Sequence, residues 1–168
     1  MPKKPPKLDH LLWALGGAAA GAWWVKNENE EAQKSRAEND DPEGVEEVCE
    51  TVGPVLDDWD PDDYDNEDSY VADLFKHLDA NLPKDFDVEM FPSTREGKPD
   101  ILIDDRLALE LKVNPRKGER DRLVGQTAAY SREWVTWIVL VDTPESKAGA
   151  LEKLLADKGL ERILVFGF

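Results

Sequence analysis

"PDILIDDRLALELK", Pro99–Lys112, is the stretch that decides how the C-terminal part of this chain folds. Two apolar runs flank Asp104-Asp105-Arg106, a polar turn that joins them as a β-hairpin. Side chains alternate faces along a strand. Leu107, Leu109, Leu111 and Val113 therefore share one face, and Ala108, Glu110 and Lys112 the other. In the preceding strand Ile101 and Ile103 point one way, while Asp100, Leu102 and Asp104 point the other. Both apolar sets reach one core only if Ile103 opposes Leu107 and Ile101 opposes Leu109. That register sets Asp100 directly opposite Glu110, with Cβ atoms about 5 Å apart.

Two carboxylates so placed repel each other. Two readings of the pair stand open. In one the hairpin is simply amphipathic, with its charges facing solvent. In the other a divalent cation sits between the carboxylates, and hard oxygen ligands favour Mg²⁺ or Mn²⁺. Lys112, two residues on and on the same face, would then orient or deprotonate a water, or stabilise charge growing on a phosphate.

Working outward, "NEDSYVADLFKHLDANLP" carries Val71, Leu74, Phe75, Leu78 and Leu82 at helical spacing. Asn66 or Asp68 can cap it and Pro83 stops it. "DFDVEMFPS" reads as a strand, "GERDRLVGQTAAYSREW" as a helix, and "TWIVLVDT" as a strand buried on both faces. "PESKAGALEKLLADKG" reads as a helix and "RILVFGF" as a last strand. The order α-β-β-β-α-β-α-β predicts an α/β domain over residues 66–168, with a mixed sheet flanked by helices. His77 and His10 have no partner in the pattern and read as surface residues.

Residues 26–65 read as an acidic linker, largely disordered, with a weak helix around Val45–Val55 that Gly53-Pro54 would end. The chain's net charge of -16 is concentrated there. Residues 26–68 hold 18 acids against three bases, while residues 69–168 hold 18 against 15. The overall charge therefore does not exclude a nucleic-acid partner for the C-terminal domain. Arg106, Lys112, Arg116, Lys117, Arg120 and Arg122 crowd one window and form a candidate phosphate-facing rim. A solvated loop is the plainer reading of any one of them. The single cysteine, Cys49, excludes an internal disulfide framework and a Cys-rich metal site.

Residues 1–25 include an apolar run, Leu11 to Val25, behind Lys3, Lys4 and Lys7. Fifteen residues span about 22 Å as a helix, against a hydrocarbon core of roughly 30 Å. A membrane anchor, with residues 8–25 contributing, competes with a self-associating helix, a cleaved signal peptide and an unstructured tail. The expected location is the cytoplasm, with tethering to a membrane if that segment is an anchor.

The pattern Pro99-Asp100 … Glu110-Leu111-Lys112, on a hairpin that follows a helix and precedes a helix and strand, resembles the PD-(D/E)xK nuclease superfamily. Gln126-x-x-x-Tyr130 on the next helix is similar to the QxxxY motif of RecB-like nucleases. Together they cover residues 66–168. The resemblance implies a restriction-endonuclease-like core and hydrolysis of phosphodiester bonds in DNA with Mg²⁺ or Mn²⁺. Asp100, Glu110 and the Leu111 carbonyl would hold the metal, and Lys112 would position the attacking water. Glu67, from the first helix, would assist, with Asp68 and Asp73 as alternatives. Arg122, Gln126 and Tyr130 stand at i, i+4 and i+8 and form one line along their helix. With Arg116 and Lys117 they would contact the substrate, unless Tyr130 is simply core. A homodimer is a further expectation for such a family. The alternative function is a non-catalytic nucleic-acid-binding module, or a membrane-associated interaction module, on the same fold.

Overall fold

The hairpin forms in the register its alternation requires. The computed structural model describes residues 42–160 and 162–168. The apolar N-terminal segment, and the membrane and self-association readings attached to it, lie outside the described residues, as do residues 26–41 of the acidic stretch. The described elements are α1 (Pro42–Asp57), α2 (Glu67–Asn81), β1 (Val88–Met90), β2 (Ile101–Ile103), β3 (Leu107–Val113), α3 (Lys117–Tyr130), β4 (Val135–Val141), α4 (Glu145–Ala156) and β5 (Leu164–Gly167). Ile101 pairs with Leu109 and Ile103 with Leu107. Asp104 and Asp105 occupy the turn with φ of 52° and 50°. Short polar side chains tolerate that left-handed backbone better than bulky ones, and here both are also held by more distant partners. Asp104 Oδ1 accepts from the Asp87 N–H and Asp105 Oδ1 from the Trp134 indole N–H.

The sheet runs β1-β2-β3-β4-β5. The first three strands form an antiparallel meander. β3, β4 and β5 are parallel. The two α-helical crossovers between parallel strands are the connections that geometry demands. The chain is thus α/β, a five-stranded mixed sheet flanked by four helices among the described residues. Alternation along β4 separates its two faces. Trp137, Val139 and Val141 join Ile101, Ile103, Leu107, Leu109 and Leu111 under α1 and α2. Ile138 and Leu140 face Leu123 and Val124 of α3 and Leu151 and Leu155 of α4. Three layers result, with β4 covered on both sides.

The stretch read as a linker is corrected over its second half. α1 runs through Gly53-Pro54 to Asp57. Val48, Val52, Leu56 and Trp59 are buried in the main core. Pro54 deprives the Glu50 carbonyl of its helical donor. Both residues are exposed, so water can satisfy that carbonyl and the helix continues. Beyond α1 the acidic segment is tied down: the Trp59 indole donates to Asp73 Oδ2 at 3.0 Å, and the Tyr64 N–H donates to the Tyr70 hydroxyl at 3.1 Å. His77 is also corrected from a surface residue. Its Nε2 lies 2.8 Å from the Val55 carbonyl. A carbonyl only accepts, so Nε2 carries the proton and caps one of the last open carbonyls of α1.

A charge cluster and cleft as the candidate functional site

Three parts of the chain, α2, the approach to β2 and β3, bring four charged side chains to one point. Asn66 caps α2, its Oδ1 accepting from the Ser69 N–H at 2.9 Å, and this places Glu67 in the first turn. Asp100 precedes β2 and sits one rung beyond the Ile101–Leu109 pair. Glu110 and Lys112 project from the same face of β3. Lys112 Nζ is 2.7 Å from Glu67 Oε1, 3.2 Å from Glu110 Oε1 and 3.8 Å from Asp100 Oδ2. It also donates to the Leu111 carbonyl at 2.6 Å. The backbone helps to hold the carboxylates: Asp100 Oδ2 accepts from the Leu111 N–H at 2.8 Å, and Glu67 Oε2 from the Val113 N–H at 3.4 Å. Asp100, Glu110, Lys112, Glu67 and the Leu111 carbonyl, all expected at the site from sequence, are therefore together.

The charges on the hairpin do not face solvent. Glu110 is 2% exposed and Lys112 8%. Burial and the neighbouring Asp100 push Glu110 up to about 7, against the pull of Lys112. Burial also raises Asp100, opposed by Lys112 and the Leu111 N–H. For Lys112 burial acts downward, but Glu110, Asp100 and the hydrogen bond to Glu67 outweigh it and its pKa is raised. The ammonium is thus held charged amid carboxylates, one of which prefers a proton.

Among the described residues no three His, Cys, Asp or Glu side chains already stand as a metal-holding group. Lys112 explains that, because its ammonium occupies the point on which the carboxylates converge. The donor set nevertheless fits a hard cation. Glu110 Oε2 is buried without a hydrogen-bond partner, and buried carboxylate oxygens in that state call for a donor or a cation. Asp100, Glu110 and the Leu111 carbonyl are the oxygens that could hold one.

The line expected along α3 is present. Arg122, Gln126 and Tyr130 border an open cleft of about 550 Å³, whose other wall is Glu96, Gly97 and Lys98. Gln126 Oε1 is buried there without a partner. Tyr130 takes the core alternative: it is 3% exposed, packs with Leu102, Ala108 and Trp134, and its hydroxyl donates to the Lys98 carbonyl at 2.9 Å. A direct substrate contact from that hydroxyl is therefore corrected to a positioning role for the loop wall. Arg116 and Lys117 are exposed at the start of α3 and stand outside the residues bordering the cleft. Arg106 is removed from the basic rim. It sits before the first residue of β3, about 20 Å of strand away from Lys112, beside Gly44 of α1. Sequence reading missed Gly97 and Lys98. Gly97, with φ 139°, lies where an added Cβ would stand 2.9 Å from the Tyr130 ring, and only tertiary packing discloses it. A second hollow of about 640 Å³ has Asp85, Asp87, Glu89, Asp104, Asp105 and Arg106 in its lining and, Arg106 apart, holds none of the expected site residues.

Comparison with family models, with curated proteins and with solved structures found no match for this chain.

Proposed function

We propose that this protein is a metal-dependent nuclease with a restriction-endonuclease-like core, hydrolysing phosphodiester bonds in DNA. The observation that carries the reading is the convergence of Glu67, Asp100 and Glu110 on Lys112 Nζ, with Glu110 Oε2 buried and unpartnered. A helix, a meander of three strands, a helix and a parallel strand, in that order, support the core assignment. A buried acidic pair costs free energy unless something positive completes it.

Mg²⁺ or Mn²⁺ bound by Asp100, Glu110 and the Leu111 carbonyl would polarise the scissile phosphate and stabilise the leaving oxygen. Lys112 would hold the attacking water and stabilise negative charge on the phosphoryl oxygens. Glu67 would position Lys112, since its carboxylate is the nearest to the ammonium. Lys98 and Arg122 in the cleft, with Arg116 and Lys117 beyond it, would hold the phosphate backbone.

A binding module without catalysis is favoured by one feature: Lys112 Nζ already pairs with Glu67 Oε1 and Glu110 Oε1, as an internal ion cluster would. The two readings separate in one experiment. The full chain and Lys112→Ala are incubated with plasmid, linear and branched DNA, with Mg²⁺, Mn²⁺ or chelator, at low and high salt. Cleavage by the parent that both the chelator and the substitution abolish is the expected result. Equal DNA binding by both forms, with no cleavage under any condition, establishes the binding module instead.

A further inference from the structure

Met90 and Phe91 are each 39% exposed at the free edge of the sheet, and only Leu164 on β5 is a comparably exposed large hydrophobic among the described residues. The ladder shows where Phe91 lies. β1 pairs Met90 with Ile101, and the next rung brings the Phe91 N–H to the Asp100 carbonyl at 2.9 Å. One rung beyond the Ile101–Leu109 pair, Asp100 stands opposite Glu110. A single row therefore crosses three strands as Phe91, Asp100 and Glu110. At the usual strand spacing Phe91 is about 10 Å from Glu110 along that row.

Phe91 is held at φ 52°. Among the described residues the other non-glycine residues with positive φ are Asp104, Asp105, Asn114 and Asp142, types that tolerate this region through local hydrogen bonds. A bulky aromatic residue there is an outlier, and such strain concentrates at functional sites. Packing does not account for it, because among the described residues Phe91 belongs to none of the three apolar clusters. The chain after it is "PSTREGK", with Arg95 on the loop and Lys98 on the cleft wall. In the sequence Glu67 is preceded by Asp58, Asp62, Asp63 and Asp65, and negative charge of that kind disfavours a second phosphate backbone wherever one comes near it.

We propose that Phe91 is a stacking platform for an unpaired nucleobase beside the phosphate held at Asp100 and Glu110, so that the substrate is a single strand or a frayed end. This rests on the nuclease reading for what happens to the phosphate, but not for the stacking itself. Every base offers an aromatic face only once it leaves the duplex stack, and aromatic side chains recognise that face without regard to sequence. Arg95, Lys98 and Arg122 then track the one backbone.

The test uses the full chain, Phe91→Gly and Phe91→Trp, with a short single-stranded DNA carrying 2-aminopurine and the matching duplex, and Ca²⁺ replacing Mg²⁺ during binding. Parent and Phe91→Trp should quench 2-aminopurine. Phe91→Gly should abolish the quench and weaken single-strand binding by about tenfold or more, with duplex affinity changed by less than about twofold. Glycine accepts the left-handed backbone freely, so its thermal midpoint should not fall, which separates lost stacking from lost folding. Unchanged single-strand binding by Phe91→Gly, or equal losses on single strand and duplex, overturns the proposal. So does a parent dimer that Phe91→Gly dissociates while single-strand affinity stays intact. A parent that quenches but cuts nothing keeps the stacking and rejects the nuclease. A parent that cuts, loses cutting with Lys112→Ala and shows no quench does the reverse.

Discussion

Replacing Glu110 by Gln should make the protein more stable at pH 8 and inactive. Glu110 is 2% exposed, and burial with Asp100 raises it from 4.5 to about 7. Between those values the folded state keeps a proton that the unfolded chain has lost, so stability falls as pH rises through the window. Each tenfold in proton affinity is worth about 1.4 kcal/mol, so the ionised carboxylate costs the fold about 3 kcal/mol above pH 7. Raised Asp100 acts in the same direction as pH rises above its ordinary value. Raised Lys112 contributes stability that is lost only above its ordinary range, outside this window. The amide removes that cost, which is already net of the pull of the 3.2 Å Lys112 contact. The gain is about 3 kcal/mol, or about 8–15 °C in thermal midpoint for a domain of this size. Thermal unfolding by circular dichroism from pH 5 to pH 8, without divalent ions, reads it directly. Parent and variant should coincide at pH 5, where Glu110 is protonated in the fold, and diverge toward pH 8. Mg²⁺ should then raise the parent and not the variant. Parallel curves for the two proteins across that range refute a buried, proton-seeking Glu110.

Lys112→Met leaves Glu67, Asp100 and Glu110 without their cation and should cost about 3–5 kcal/mol at pH 8, measured by urea unfolding, with millimolar Mg²⁺ restoring more stability to the variant than to the parent. Gly97→Ala should cost about 2 kcal/mol, because the φ of 139° and the Tyr130 ring at 2.9 Å leave no room for Cβ; a shift below about 0.5 kcal/mol removes that account. A chain beginning at residue 60 loses Val48, Val52, Leu56 and Trp59 from the core, on the order of 6–12 kcal/mol of burial. That is as large as the whole stability of an ordinary domain. Such a fragment should show no cooperative unfolding transition, whereas one beginning at residue 42 should.

The hairpin register was legible because alternation on both strands leaves one pairing that sends Ile101, Ile103, Leu107 and Leu109 to the same core. The charge cluster followed from that register, and Glu67 from the position of a cap. α1 was obscured for a physical reason. Its acids, Glu46, Glu47 and Glu50, sit on the solvent side and dominate the composition, while its apolar set is the sparse i, i+4, i+8 row of Val48, Val52 and Leu56. Gly53-Pro54 reads as a stop only if its carbonyl debt is buried, and here it faces water. The role of Tyr130 turned on a contact 32 residues away, with the Lys98 carbonyl, which no local pattern carries. Arg106 failed as a rim residue because nearness in sequence is separation in space along an extended strand.

What remains to be explained is why a fold of this size keeps Glu110 and Lys112 inside at all. Stability is a poor reason. Replacing a buried ion cluster with apolar side chains of similar volume is often neutral or stabilising, and β3 is otherwise Leu and Ala up to Val113. A surface for binding DNA is a poor reason too, because phosphate contacts call for exposed cations such as Arg116 and Lys117, not for a buried carboxylate such as Glu110. A negatively charged ligand would be repelled by Glu67, Asp100 and Glu110 unless a cation intervened. The cluster makes physical sense where a divalent ion and a phosphate meet, with Lys112 displaced from the carboxylates toward the water or the phosphoryl oxygens. Displacement of that ammonium is therefore the event on which the proposed activity depends, and Mg²⁺-dependent change at the Lys112 Nζ, read by ¹⁵N or ¹³C resonance of labelled lysine, should accompany binding. A lysine resonance that Mg²⁺ leaves untouched, in a protein that still cleaves DNA, would place the metal elsewhere.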